Sequence, residues 1–345
     1  RVYGRPELLL SAAALVDELR RTLADEAASP GLRRAAAVRL ARLAGVSAAD
    51  GSPGFPGADP RSWWAADEQT GGPAAGGDGP IHITGSSLET LLECPRRWFL
   101  SRRARAEGGR ASRASVGDVV HLIASEAAKE SLTAEEMQGR LDRVWAQIPF
   151  EAEWLSATER VEIGQAIERF AAYQDSVPGE LLAVEKQFRV PMTVKGREVV
   201  LVGAVDRLER QPDGRLRVVD LKTGRKTPRE ADVAAHPQLG VYQLAASLGG
   251  FDDVAAGARA VAAPTLAYVR GGEVLPALVS QPSIDDKPQL DGEELAVGPT
   301  WVHDRLAAAV DIIASGTFEA IECGACRYCP FAASCPALHD VGGDS

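Results

Sequence analysis

The sequence predicts a mixed α/β protein: helices around a mixed central β-sheet, preceded by a separate helical segment. Three observations carry this. Apolar residues recur at helical spacing before residue 50 and again at 116–130, 157–175 and 239–248. Across 181–222 the pattern changes to alternation, the period of a strand. Between the two helical regions, residues 51–80 are rich in Gly and Pro and too poor in apolar content to bury a core. A chain of 345 residues exceeds what one core ordinarily holds, so a main domain with an appendage is expected. The composition, 45% hydrophobic and 25% charged, is that of an ordinary globular chain. No apolar run approaches the roughly 20 residues that cross a bilayer, and no membrane association is expected. A formal charge of −10 excludes an overall basic coat for nucleic acid, while leaving room for a local basic patch.

In order, Leu8, Leu9, Ala12, Leu15, Val16, Leu19 and Leu23 mark a first helix, which Ser29-Pro30-Gly31 ends before Leu32–Leu43 forms a second. Residues 1–50 hold no catalytic constellation and read as scaffold. In the linker 51–80, Ser62-Trp63-Trp64 reads as an anchor packing on a neighbour. The main domain begins near Ile81 and runs to about 340. Thr84-Gly85-Ser86-Ser87 before Leu88, Leu91 and Leu92 is a capped helix start, with Glu89 and Glu93 placed toward the positive end of its dipole. Helices at 116–130 and 157–175 precede the strands of 181–222. A helix over Leu239–Leu248, a strand over Thr265–Val269 and a helix over His303–Ala314 complete the order.

The hairpin Glu198–Lys222 carries the chemistry. An apolar run ends in Asp206, Pro212-Asp213-Gly214 turns the chain, and the return strand ends in Asp220-Leu221-Lys222. Pro first and Gly third suit a three-residue loop closed by a left-handed Gly. With that loop Gln211 pairs with Arg215 and Asp206 stands directly opposite Asp220, with Lys222 on the same face. Two carboxylates that close repel unless a cation lies between them. A hard ion such as Mg²⁺ or Mn²⁺ fits oxygen donors, and a neighbouring lysine can orient water and stabilise charge on a phosphoryl group. His121, on the apolar face of its helix, would add a neutral nitrogen. Gln238 and Tyr242 lie one turn apart on a helix begun by Pro237.

His121, Gly203-Ala204-Val205-Asp206-Arg207-Leu208, Asp220-Leu221-Lys222-Thr223-Gly224 and Gln238-Leu239-Gly240-Val241-Tyr242 together resemble the RecB-like branch of the PD-(D/E)xK nucleases, over about residues 81–340. The resemblance implies a restriction-endonuclease-like core in which His121, Asp206, Asp220 and the Leu221 backbone carbonyl bind the metal. It implies that Lys222 positions the attacking water, and that Gln238 and Tyr242 contact nucleic acid or support the site. The third motif carries Asp220 where some members carry Glu.

Cys326, Cys329 and Cys335 form C-x2-C-x5-C, with Cys94 far upstream. Four thiolates suit a structural zinc or an iron–sulfur cluster, and the spacing does not separate them. The resemblance, to AddB-type nucleases in particular, implies a [4Fe–4S] cluster on Cys94, Cys326, Cys329 and Cys335 that staples the domain's two ends. Cys323, which makes a C-x2-C with Cys326, is a rival ligand assigned as spare. Arg96, Arg97, Arg102, Arg103, Arg105, Arg110 and Arg113 crowd the stretch after Cys94 and suit phosphate contact, with Trp98, Phe99 and Tyr328 as candidate base-stacking rings.

The expected function is therefore a metal-dependent DNA nuclease domain that cuts single-stranded DNA at processed ends. It resembles the C-terminal region of AdnAB- and AddAB-type helicase–nuclease subunits of the UvrD-type helicase family. The chain has no G-x-x-x-x-G-K-[ST], so an ATP motor would lie outside it, with the first 50 residues as the tail of that helicase. A second helicase–nuclease subunit is the expected partner and the cytoplasm the expected location. Two other readings stay open: a stand-alone RecB-like exonuclease of the CRISPR-adaptation type, and a non-catalytic cluster-bearing DNA-binding module.

Overall fold

The computed structural model describes residues 12–25, 27–47, 54–60, 79–104, 106, 116–148, 150 and 152–338. It divides into two units, Arg1–Ala75 and Gly76–Ser345. In the first, α1 (Ala12–Ala24) packs on α2 (Pro30–Ala44). The Ser29 hydroxyl accepts from Leu32 N–H at 3.3 Å, and Pro30 occupies the first turn, where its missing N–H costs nothing. Val16, Leu19, Ala36 and Leu40 form a small core. Ala58, in the short turn Pro56–Ala58, is fully buried in that core. Part of the Gly/Pro-rich stretch therefore packs on the helices. Ser62-Trp63-Trp64 lies outside the described residues.

The second unit begins with β1 (Ile81–Ile83), α3 (Gly85–Glu93) and α4 (Pro95–Trp98), which continues into a π-helical turn over Phe99–Arg103. Thr84 caps α3 by accepting from Ser87 N–H at 3.0 Å. Because α3 ends at Glu93, that residue sits at the negative end of the dipole, contrary to the sequence expectation. Helices α5 (Val116–Glu130), α6 (Ala134–Trp145) and α7 (Glu153–Ser176) lead to β2 (Glu180–Val194), β3 (Arg197–Arg210) and β4 (Leu216–Lys222). Then come α8 (Glu230–Val233), α9 (Pro237–Ser247), β5 (Thr265–Tyr268), β6 (Ala277–Ser280) and α10 (Trp301–Ser315).

The sheet runs β1-β3-β4-β5-β6, with β2 also paired to β3. Val199 pairs with both Ile81 and Met192, so β1 and β2 lie on opposite edges of β3. The β1–β3 and β4–β5 pairs are parallel and the others antiparallel, the mixed sheet that was expected. One core gathers α3, α9 and α10 around Leu201, Leu208, Val218 and Leu266. A second packs α5, α6 and α7 around Val219, Leu221 and Ala267. Burial on both faces is why Val199–Val202 reads as a continuous apolar run. Among the described residues no helix is long and apolar enough to cross a membrane.

Candidate active site

The hairpin adopts the register its loop predicts. Arg210 pairs with Leu216 and Arg207 with Val219, Gln211 N–H donates to Arg215 O at 2.9 Å, and Gly214 is left-handed at φ +85°. One further step places Asp206 opposite Asp220. The paired ladder stops just before them, and the Leu221 N–H, the donor of the next rung, donates to Asp206 Oδ2 at 2.7 Å. Asp206 thus sits where β3 and β4 part, its carboxylate fixed by a backbone donor.

On β2, Val184 pairs with Arg207 and Lys186 with Val205, which sets Glu185 across from Asp206 on the other edge of β3. Glu185 has φ +46°, a left-handed conformation that non-glycine residues adopt only at a cost. Helix α5 brings His121, whose Nδ1 lies 3.5 Å from Asp206 Oδ2. Ligand atoms of His121, Glu185 and Asp206 lie within 4.8 Å of one another, a spacing one cation can bridge. The Asp206 hydrogen bond holds the His121 imidazole above its ordinary pKa, against the opposing effect of burial. Burial pushes the Glu185 carboxyl up, and the charge on Asp206 adds to it. Glu185 is the residue that sequence reasoning missed. Its signal, one acid in an alternating strand, is indistinguishable from a solvent-facing position until β2 is placed beside β3.

Asp220 lies outside that three-residue group. Its carboxylate is buried, with Oδ2 2.7 Å from Lys222 Nζ but making no well-aligned hydrogen bond. The remaining polar contacts close a ring. Lys222 Nζ donates to Gln238 Oε1 at 3.1 Å, Gln238 Nε2 donates to the Tyr242 hydroxyl at 2.7 Å, and that hydroxyl faces Asp220 Oδ1 at 3.5 Å. The polarity of the ring has the lysine as donor and the aspartate as acceptor, which suits an ammonium and a carboxylate. Burial opposes the Lys222 charge, but Asp220, with Asp206 and Glu89 adding to it, more than offsets burial and holds the ammonium pKa above its usual value. Burial raises the Asp220 pKa, Lys222 pulling down and Asp206 pushing up. The Tyr242 ring is buttressed edge-on by Phe188 at 6.0 Å. A Cβ at Gly203 would fall 2.9 Å from Phe188 Cζ, so the glycine three residues before Asp206 is what lets Phe188 cross β3.

The basic segment divides. Arg102 and Arg103 are exposed, Arg103 lying over the Trp98 ring at 5.8 Å. Arg96 and Arg97 are half-buried, Arg97 lying 3.9 Å from Glu93. Arg105, Arg110 and Arg113 lie outside the described residues. Trp98 is buried, donates to Ser87 Oγ at 2.7 Å and stacks on Phe318 at 5.7 Å, so it is core and not a platform for a base. Phe99 stacks on the same ring at 4.7 Å, while Tyr328 is 81% exposed. Arg96 N–H also donates to Glu319 O at 2.9 Å, which ties the segment after Cys94 to the one leading into Cys323. Cys94 and Cys335 are buried, and the other three cysteines are half-buried. Cys323 and Cys326 sulfurs are 3.9 Å apart, but no three of the five thiols fall within 4.8 Å of one another.

A model of the PD-(D/E)XK nuclease superfamily matches residues 82–336, a span that contains every residue of the constellation. No curated protein matches the chain. Solved structures do: one titled "Crystal structure of SSO0001" is 13% identical, with a TM-score of 0.33, covering 76% of this chain and 88% of that one, a likeness too slight to argue from. The family match spans most of the chain and agrees with the mixed sheet. The chain belongs to the PD-(D/E)XK nuclease superfamily, whose members are generally metal-dependent nucleases acting on DNA.

Proposed function

We propose that this chain is the nuclease part of a helicase–nuclease that resects DNA double-strand ends, hydrolysing phosphodiester bonds of single-stranded DNA. The observation that carries the catalytic part is the adjacency of the His121–Glu185–Asp206 group to the ring formed by Asp220, Lys222, Gln238 and Tyr242. The donors fit a hard divalent ion, Mg²⁺ or Mn²⁺. Two carboxylates and an imidazole converge, and a buried Asp220 oxygen beside them lacks a well-aligned hydrogen bond. His121, Glu185, Asp206, Asp220 and the Leu221 carbonyl would hold it. When bound, such an ion polarises a phosphoryl oxygen and acidifies a coordinated water. Lys222, kept charged by Asp220, orients the water and faces the charge that grows on the phosphate. Gln238 fixes the ammonium, and Tyr242 fixes both the Gln238 amide and Asp220.

Exposed Arg102 and Arg103 and the ring of Tyr328 would track the strand through phosphate contact and stacking. We assign a [4Fe–4S] cluster to Cys94, Cys326, Cys329 and Cys335 by resemblance to AddB-type nucleases, supported by the tie between Arg96 and Glu319. The cluster acts as a staple. By analogy with a disulfide, closing so long a loop restricts the unfolded chain by about 5 kcal/mol. A second helicase–nuclease subunit is the proposed partner, by resemblance to AdnAB- and AddAB-type enzymes. The test is Mg²⁺-dependent degradation of single-stranded DNA: Asp220→Ala and Lys222→Ala should abolish it in protein that still folds. Wild-type rates in either variant would refute the assignment.

A further inference from the structure

Glu89 is outside the constellation that the sequence singles out, yet the fold brings it alongside. It stands one turn after Gly85 on α3, so the two share a face. Gly85 is where α3 meets α9: a Cβ there would fall 2.8 Å from Gln238 Cα and 2.9 Å from Gln238 Cγ. Helix α3 is therefore seated directly on the residue that accepts the Lys222 ammonium. Glu89 Oε1 faces His236 Nε2 at 3.6 Å, and His236 is the N-cap of α9, two residues before Gln238. The His236 carbonyl is fixed in turn, accepting from Gly240 N–H and Gln281 Nε2, each at 3.1 Å. The charges on Glu89 and Lys222 act on each other. Burial raises the Glu89 carboxyl above its ordinary pKa, with Lys222 and Arg97 pulling it back. Burial and then the Lys222 charge push the His236 imidazole down, so above neutral pH the ring is uncharged and Lys222 and Arg97 are the cations that act on Glu89.

We propose that Glu89 is a positioning residue for Lys222, the second anion that keeps the ammonium aimed when Asp220 shares its charge with a cation. The inference rests on the reading of Lys222 as the cation that faces the attacked phosphate. Lys222 Nζ lies 2.7 Å from Asp220 Oδ2. A divalent ion held by that same carboxylate would weaken its hold on the ammonium. Glu89 belongs to α3, outside the His121–Glu185–Asp206 group, so its charge would still act on Lys222 with a cation bound there.

The test separates charge from packing. Glu89→Gln keeps the size and removes the charge; Glu89→Asp keeps the charge and shortens the arm. At pH 8, Glu89→Gln should lower kcat on single-stranded DNA about tenfold, with KM, Mn²⁺ affinity and melting temperature within error of wild type. Glu89→Asp should retain most of the rate. Wild-type kcat in Glu89→Gln overturns the proposal, as does an impaired Glu89→Asp beside a normal Glu89→Gln, which marks a packing role. A loss of Mn²⁺ affinity in Glu89→Gln overturns it in favour of metal ligation. Asp220→Ala is assayed in parallel: full activity there defeats the nuclease reading itself, whereas an inactive Asp220→Ala beside a normal Glu89→Gln defeats only this inference.

Discussion

Replacing Asp220 by Asn separates what the carboxylate costs the fold from what it does for the site. Asp220 is 3% exposed, and its Oδ2 makes no well-aligned hydrogen bond. Burial raises its pKa in spite of Lys222, and Asp206 adds to the rise. A carboxyl whose folded pKa lies above its unfolded value of 3.8 favours the fold at low pH and loses that contribution as pH rises through the folded value. At pH 8 in EDTA the charge is therefore a net cost, and the neutral isostere should melt no lower than wild type. Metal reverses the order. At a free Mg²⁺ concentration of 100 Kd, binding stabilises the wild type by about 2.7 kcal/mol. At roughly 2–4 °C per kcal/mol for a domain of this size, that is a rise of about 5–11 °C. If losing the donor weakens affinity about a hundredfold, the same Mg²⁺ adds only about 0.4 kcal/mol to Asp220→Asn, or about 1–2 °C. Thermal melts with and without Mg²⁺, alongside a single-stranded DNA assay, read all three quantities. A variant that gains as much from Mg²⁺ as wild type, or melts well below it in EDTA, would refute the reasoning.

Three further outcomes follow. Because Asp206 raises the His121 pKa, protonated His121 favours the metal-free fold below 6.5, and that contribution is lost as pH rises through the raised folded value. Mn²⁺ affinity should accordingly strengthen over the same window, and His121→Ala should flatten the dependence, read by Mn²⁺ titration from pH 6 to 9. Protein purified without oxygen should carry iron and sulfide. Cys326→Ser should lose both and melt lower, Cys323→Ser should keep them, and zinc in place of iron would remove the cluster but not the nuclease. Arg102→Ala with Arg103→Ala should weaken single-stranded DNA binding and reduce the slope of log K against log salt by about 1.4; an unchanged slope places the strand elsewhere.

The chemistry was legible where it depends on short range. A Pro-Asp-Gly loop fixes a register by itself, so the positions of Asp206, Asp220 and Lys222 follow from counting residues. That Gln238 and Tyr242 share a face follows from helical spacing after Pro237, whereas their role comes only from the family resemblance. What depends on packing between distant segments was not legible. Glu185 joins the site only because β2 pairs with β3, and Trp98 looks like an exposed ring beside arginines until Ser87 and Phe318 enclose it. The three residues of β1 and four of β6 are too few to show a period. Helix α6 had a local signal in Thr133 and Glu136, whose backbone and side chains cap one another at 3.3 and 2.8 Å. Arg207, inside the motif, belongs to the fold and not to DNA: its Nε lies 2.6 Å from the fully buried Glu209.

The costs of this fold converge on one point. Glu185 holds a left-handed backbone in mid-strand, a conformation worth about 1–3 kcal/mol of strain in a non-glycine residue. Asp206 is flanked across the sheet by Glu185 and Asp220, and Asp220 keeps a buried oxygen short of a well-aligned donor. Relaxation would remove each of these costs, and packing denies it. Phe188 crossing over Gly203 braces Tyr242, Gln238 is pressed by α3, and β3 is paired on both edges. A cation among these acids would relieve the repulsion between them. Metal affinity and the instability of the metal-free site are then the same free energy seen from two sides. Any substitution that quiets the site without a metal should weaken its hold on one.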